Sequence, residues 1–142
     1  MDFTRSINRK LIIAFLTAAL ALFLISCRSA TDTLEPDLLP AEIFQRAQEA
    51  ADSSRYNQAL LYYQTFQERY PEEVERNLWA SYEIAFLYYK LGEYDRAVEL
   101  FDELIELYNT EESATMIPAP KILSLKVKAI ILDKQKDTTA AE

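Results

Sequence analysis

The feature that most constrains this chain is residues 79–108, WASYEIAFLYYKLGEYDRAVELFDELIELY, where two apolar periodicities meet at the only glycine in 142 residues. Before Gly92, Ile84, Ala85, Tyr88 and Leu91 fall on one helical face; after it, Ala97, Leu100, Phe101, Leu104 and Leu107 do the same. Glycine alone takes a positive φ without steric cost, so Gly92 is expected to end one helix and let the next fold back antiparallel. Small Ala85 is expected opposite small Ala97, so the backbones approach closely while Tyr88, Tyr94 and Phe101 fill the space around them. The unit predicted is a helical hairpin.

The pattern occurs twice. Ala47, Tyr56, Ala59 and Tyr63 precede Ala85, Tyr94, Ala97 and Phe101 by 38 residues each, across the polar break Asp52-Ser53-Ser54-Arg55. Gly92, Tyr94, Ala97 and Phe101, spaced Gly-x-Tyr-x-x-Ala-x-x-x-Phe, resemble a tetratricopeptide repeat. That repeat has a period of about 34 residues, which places four extra residues in the connection, expected within 71–77. Pro40 suits a first helical turn, and Tyr70-Pro71 breaks the first hairpin's second helix. A last helix is expected over 120–136, carrying Lys121, Lys126, Lys128, Lys134 and Lys136, with a frayed tail over 137–142. The fold class read from this is all-α: two tetratricopeptide-like hairpins and a C-terminal capping helix over 40–136.

The amino terminus is of another kind. Arg5, Arg9 and Lys10 precede an uncharged apolar run over 11–26, ending at Cys27. This is the pattern of an export signal. Its 16 residues would rise about 24 Å, short of the roughly 30 Å hydrocarbon core of a bilayer. Leu24-Ile25-Ser26-Cys27 resembles a bacterial lipobox, which implies that Cys27 is acylated, palmitate included, and becomes the first mature residue. No second cysteine exists to pair with it. More than one acyl chain meets the requirement for stable attachment, so the mature chain is expected to be anchored and not to span. Residues 28–39, polar and proline-containing, read as a tether of at most about 40 Å.

The doubled hairpin with its long connection, the Phe66-x-x-x-Tyr70-Pro71 ending and the acylated amino terminus together resemble the BamD (YfiO-type) outer-membrane assembly lipoproteins. The resemblance implies right-handed stacking of the hairpins and a non-catalytic scaffold or adaptor in outer membrane protein assembly. Arg28 after the cysteine, where Asp would favour inner-membrane retention, implies the outer membrane, facing the periplasm. A different class of function, a structural or accessory subunit of a cell-wall complex, fits the same residues.

Composition excludes much chemistry. With no histidine, and the sole cysteine assigned to lipid, the usual general base, transition-metal ligands and thiol nucleophile are missing. One glycine cannot make a phosphate loop, and Glu72, Glu73 and Glu75 lack the calcium-loop pattern. From Arg28 onward 12 Lys/Arg stand against 22 Asp/Glu, so the net charge is 12 − 22 = −10, which disfavours nucleic acid. No enzyme activity, cofactor, metal or small-molecule substrate is expected. What remains is a surface for a protein or peptide partner in the cell envelope.

Trp79, Tyr82, Phe86 and Tyr89, spaced 3, 4 and 3, make one aromatic stripe on the side of their helix away from Ala85, with Lys90 beside it. Phe44 and Gln48 are the matching positions of the first repeat. In tetratricopeptide proteins this face lines a concave groove, and large aromatics are the usual anchors of recognition. Whether the last helix folds over the stripe stays open. That helix has two apolar sides: Ile122, Leu125, Ala129 and Leu132 on one, Leu123, Val127, Ile130 and Ile131 on the other. The first is expected to pack on the helix before it, and the second to remain outward as a docking element.

Overall fold

The computed structural model describes residues 37–110 and 115–140, with side chains as far as Asp137. The export signal, Cys27 and the tether up to residue 36 lie outside the described residues. Among the described residues five helices follow one another: α1 (Pro40–Asp52), α2 (Tyr56–Arg69), α3 (Val74–Leu91), α4 (Tyr94–Leu107) and α5 (Ala119–Ala140). Each packs on its neighbour in sequence, and α5 also packs on α3. The all-α reading of two hairpins and a terminal helix therefore holds.

The helix starts follow from local chemistry. Pro40 occupies the first turn of α1, and Glu42 accepts the Leu39 backbone N–H at 2.9 Å. Pro71 ends α2 at Arg69; Asn77 Nδ2 then donates to the Tyr70 carbonyl at 2.7 Å and the Tyr70 hydroxyl to the Leu38 carbonyl at 2.8 Å. The four extra residues of the 38-residue period fall at 74–77, inside the expected stretch, but as helix and not as loop. They form an additional first turn of α3, which has 18 residues against 13 in α1. Glu75 in that turn suits the positive end of the helix dipole, and burial of Leu78 just beyond it holds the turn in place.

Gly92 takes φ 83°, as expected of a residue closing α3. Its N–H reaches the Tyr89 carbonyl at 3.1 Å and the Glu93 N–H reaches Tyr88 at 3.0 Å, the paired bonds that satisfy the last carbonyls of a helix. The first hairpin builds the same turn on a non-glycine residue. Ser54, 38 residues earlier, has φ 58°; its N–H bonds Ala51 at 2.9 Å and the Arg55 N–H bonds Ala50 at 2.8 Å.

Two apolar clusters share α3. Ala80, Ile84 and Leu87 face α1 and α2, where they meet Ile43, Ala47, Ala59, Tyr63 and Phe66. Leu78, Tyr82 and Ala85 face α4 and α5, where they meet Ala97, Phe101, Leu104, Val127 and Ile131. The alanines of both repeats, Ala47, Ala59, Ala85 and Ala97, are fully buried. Such positions admit no added volume, which is why helix pairs that need close approach put alanine there.

The last helix is turned the other way round from the expectation. Val127 and Ile131 are core and Leu123 packs against them, so this stripe is not an outward docking element; only Ile130 of that set stays exposed. Ile122, Leu125, Ala129 and Leu132 face out instead. Two stripes of equal hydrophobicity leave the choice to smaller side chains. Pro120 and Ser124 are fully buried and in line with Val127 and Ile131, and this low ridge lets α5 approach α4. The Ser124 hydroxyl meets the Pro120 carbonyl at 2.8 Å, so its burial leaves no polar group unsatisfied. Lys128 pairs with Asp102, and Gln135 donates to Asp95 at 2.9 Å, which fixes the rotation of α5 from its flank. The helix continues past Lys136 to Ala140.

Candidate protein-binding surface

The α3 stripe exists as a ladder of touching rings. Trp79 meets Tyr82 edge-on at 6.0 Å between centroids, Tyr82 stacks on Phe86 at 6.0 Å, and Phe86 meets Tyr89 at 5.7 Å. At its end Tyr89 meets Tyr94 of α4 at 5.9 Å, and Lys134 of α5 stands over the Tyr94 ring at 4.8 Å. Helical spacing of 3, 4 and 3 keeps the rings within contact of one another, and offset or edge-on geometry adds about 0.5–1.5 kcal/mol per pair beyond burial.

The ladder is neither an open groove nor core. Tyr82 is buried against Phe101, at 6.0 Å between rings, while Trp79, Phe86 and Tyr89 are half-buried along the cluster that Val127 and Ile131 complete. The last helix thus backs the stripe without closing it. Three of the four rings keep accessible surface. A partner side chain laid along them would meet aromatics already held in place, so little rotamer freedom would be lost on binding.

The other expected positions are placed differently. Phe44 packs edge-on against Tyr63 and Phe66, at 5.2 and 5.3 Å, and is part of the first hairpin's own packing. Gln48 is exposed on α1, in the first hairpin, while the ladder belongs to the second cluster. Lys90 is exposed, with its Nζ 5.9 Å from the centre of the Tyr56 ring in α2.

Glu83, unremarked by periodicity, is partly buried on α3, within electrostatic reach of Tyr82 on its own helix and of Tyr63 and Asp52 in the first hairpin. Burial first, and then the nearby Asp52 carboxylate, push its carboxyl above the ordinary range. Burial and the Glu83 charge push the Tyr82 phenol up as well. The signal for it in the sequence is a lone carboxylate inside an otherwise apolar stretch, Tyr82-Glu83-Ile84-Ala85-Phe86. A recess of about 320 Å³ lies at the foot of α3, lined by Val74, Glu75, Leu78, Thr115, Met116 and Ile117. The Tyr108 hydroxyl holds that loop by donating to the Ile117 carbonyl at 2.8 Å.

Among known proteins, an uncharacterized protein of Treponema pallidum (strain Nichols) is 29% identical to this chain over 105 residues. The match covers 72% of this chain and 42% of that protein, so the chain spans less than half the length of the relative. No solved structure matches it. The family model of YfiO, described as an outer membrane lipoprotein, matches residues 36–140, the whole of the helical array from its first turn to the end of α5. On that match the chain belongs to the YfiO family of outer membrane lipoproteins.

Proposed function

We propose that this chain is a non-catalytic adaptor, anchored through lipid on Cys27 at the outer membrane and facing the periplasm, that holds a protein partner against the α3 ladder. The observation that carries the reading is the partly exposed row Trp79, Phe86 and Tyr89, backed by buried Tyr82 and Phe101. Rigid aromatics on a packed support are the residues that dominate protein recognition. Membership of the family supports a place among outer membrane lipoproteins, and outer membrane protein assembly is the process proposed. The lipobox-like Leu24-Ile25-Ser26-Cys27 supports the anchor, and residues 28–39 would serve as its tether.

Two experiments test it. Affinity purification of the tagged chain, run beside Phe86→Ser, should yield a partner set from which one or more envelope proteins drop out in the variant. Identical sets would remove the ladder from the binding surface. Metabolic labelling with a fatty-acid probe should mark the parent and not Cys27→Ser; label on the variant would refute the anchor.

A further inference from the structure

The chain's own repeats define what should lie on the outside of α5. In α3, Ala80, Ile84 and Leu87 face the preceding hairpin; in α5 the residues 40 later, Pro120, Ser124 and Val127, are all buried, and Val127 packs in the cluster of the preceding hairpin. The same shift of 40 carries Tyr82, Ala85 and Tyr89, on the side of α3 that receives α4, onto Ile122, Leu125 and Ala129. Where α3 seats an antiparallel helix, α5 presents Ile122 at 59% exposure and Leu125 at 49%, with Leu132 at 39% one turn beyond Ala129. The outer face of α5 is thus the first half of a helical pair.

We propose that the second half is α5 of another copy of this chain, in an antiparallel pair about a twofold axis at Ala129. A twofold pair of this kind is antiparallel, as the seat requires, and each flank of the helix then faces the same flank of its partner. Ala129 meets its own copy and permits the close approach that buried alanines give both hairpins. Leu125 falls beside the partner's Leu132. Lys126 and Asp133, seven residues apart and so on one flank, are both exposed, and each faces the opposite charge of the other copy, which makes two ion pairs from one pattern. A stripe this narrow buries less than about 1,200 Å² in total, the range of weak, transient association, so micromolar dimerisation is expected. The α3 ladder takes no part, and the pairing stands or falls independently of partner capture there.

The test uses the full chain in nonionic detergent micelles, with Cys27→Ser so that any thiol is an introduced one. Ala129→Cys should oxidise readily to a disulfide-linked dimer, because the two sulfurs would meet at the axis. Ile122→Cys should not, since its counterpart would stand about 21 Å along the helix. Lys126→Asp should weaken dimerisation in light scattering at least tenfold, and Lys126→Asp with Asp133→Lys should restore it. A strictly monomeric chain at about 100 µM, equal crosslinking at 122 and 129, or charge reversal without effect would overturn the proposal. Phe86→Ser should leave the crosslink unchanged, which separates this result from that of the ladder.

Discussion

The two hairpin turns are the same backbone built from different residues, and exchanging those residues tests the account of the fold directly. Gly92 stands at φ 83°, and nothing lies within 4 Å of where a Cβ would be, so any cost of a side chain there is a cost of backbone conformation alone. Ser54 stands at φ 58° and already bears that cost. A left-handed conformation costs an L-residue about 1–2 kcal/mol, while glycine loses about 0.5–1 kcal/mol more chain entropy on folding. The difference predicts that Ser54→Gly stabilises by about 0.5–1 kcal/mol, lessened by a few tenths for the exposed bond from the Tyr56 hydroxyl to Ser54 Oγ at 3.3 Å. Gly92→Ser should destabilise by about the same amount. In a domain of this size these are shifts of roughly 2–8 °C in opposite directions, and the double exchange should melt within a degree or two of the parent. Circular dichroism melts with urea midpoints on the four proteins measure this. A silent Gly92→Ser, or a Ser54→Gly that lowers the midpoint, would refute the equivalence of the two turns.

Other expected outcomes follow from burial. Ala97→Leu should cost about 1–3 kcal/mol, read as a lowered urea midpoint, because fully buried Ala97 lies in the cluster between α3 and α4. Glu83→Gln should raise stability at pH 7 and converge on the parent near pH 4. The Glu83 pKa is raised on folding, so its ionisation above the folded pKa is what destabilises, and that penalty vanishes as pH falls below the unfolded value. A variant no more stable than the parent at pH 7 would contradict it. Val127→Asp should cost roughly 3 kcal/mol or more by burying an unpaired charge, whereas Leu125→Asp, on the outer face of the same helix, should leave the melting point of the monomer nearly unchanged.

Both hairpins were legible in the sequence because four alanines and their aromatic neighbours repeat at 38 residues, and only close-packed helix pairs require small residues at such fixed intervals. The row of aromatics was legible because a spacing of 3, 4 and 3 sets them along one face, but its side was not: Tyr82 is buried in the same cluster as Ala85, and the row does not lie away from it. Phe44 was not. It occupies the first-repeat position of Tyr82, yet its ring closes on Tyr63 and Phe66 in the first hairpin's packing and does not continue the row of exposed aromatics. The rotation of α5 was hidden because Ile122 and Leu125 are as apolar as Leu123 and Val127. Pro120, Ser124 and the Lys128 to Asp102 pair decide it, and none of these registers as hydrophobic periodicity. Ser54 escaped notice because a left-handed serine leaves no trace in composition.

The sharing of α3 between two clusters governs how the molecule comes apart. Unfolding α1 and α2 would strip Ala80, Ile84 and Leu87 of their cover, and unfolding α4 and α5 would strip Leu78, Tyr82 and Ala85, so neither side can melt without exposing half of α3. Arrays of helical pairs often unzip stepwise from their ends, but here the interface term is carried by a helix that both units need. The array should therefore lose structure in one cooperative transition. Its amide hydrogens should exchange most slowly along α3, around Ile84 and Ala85, and progressively faster toward α1 and α5.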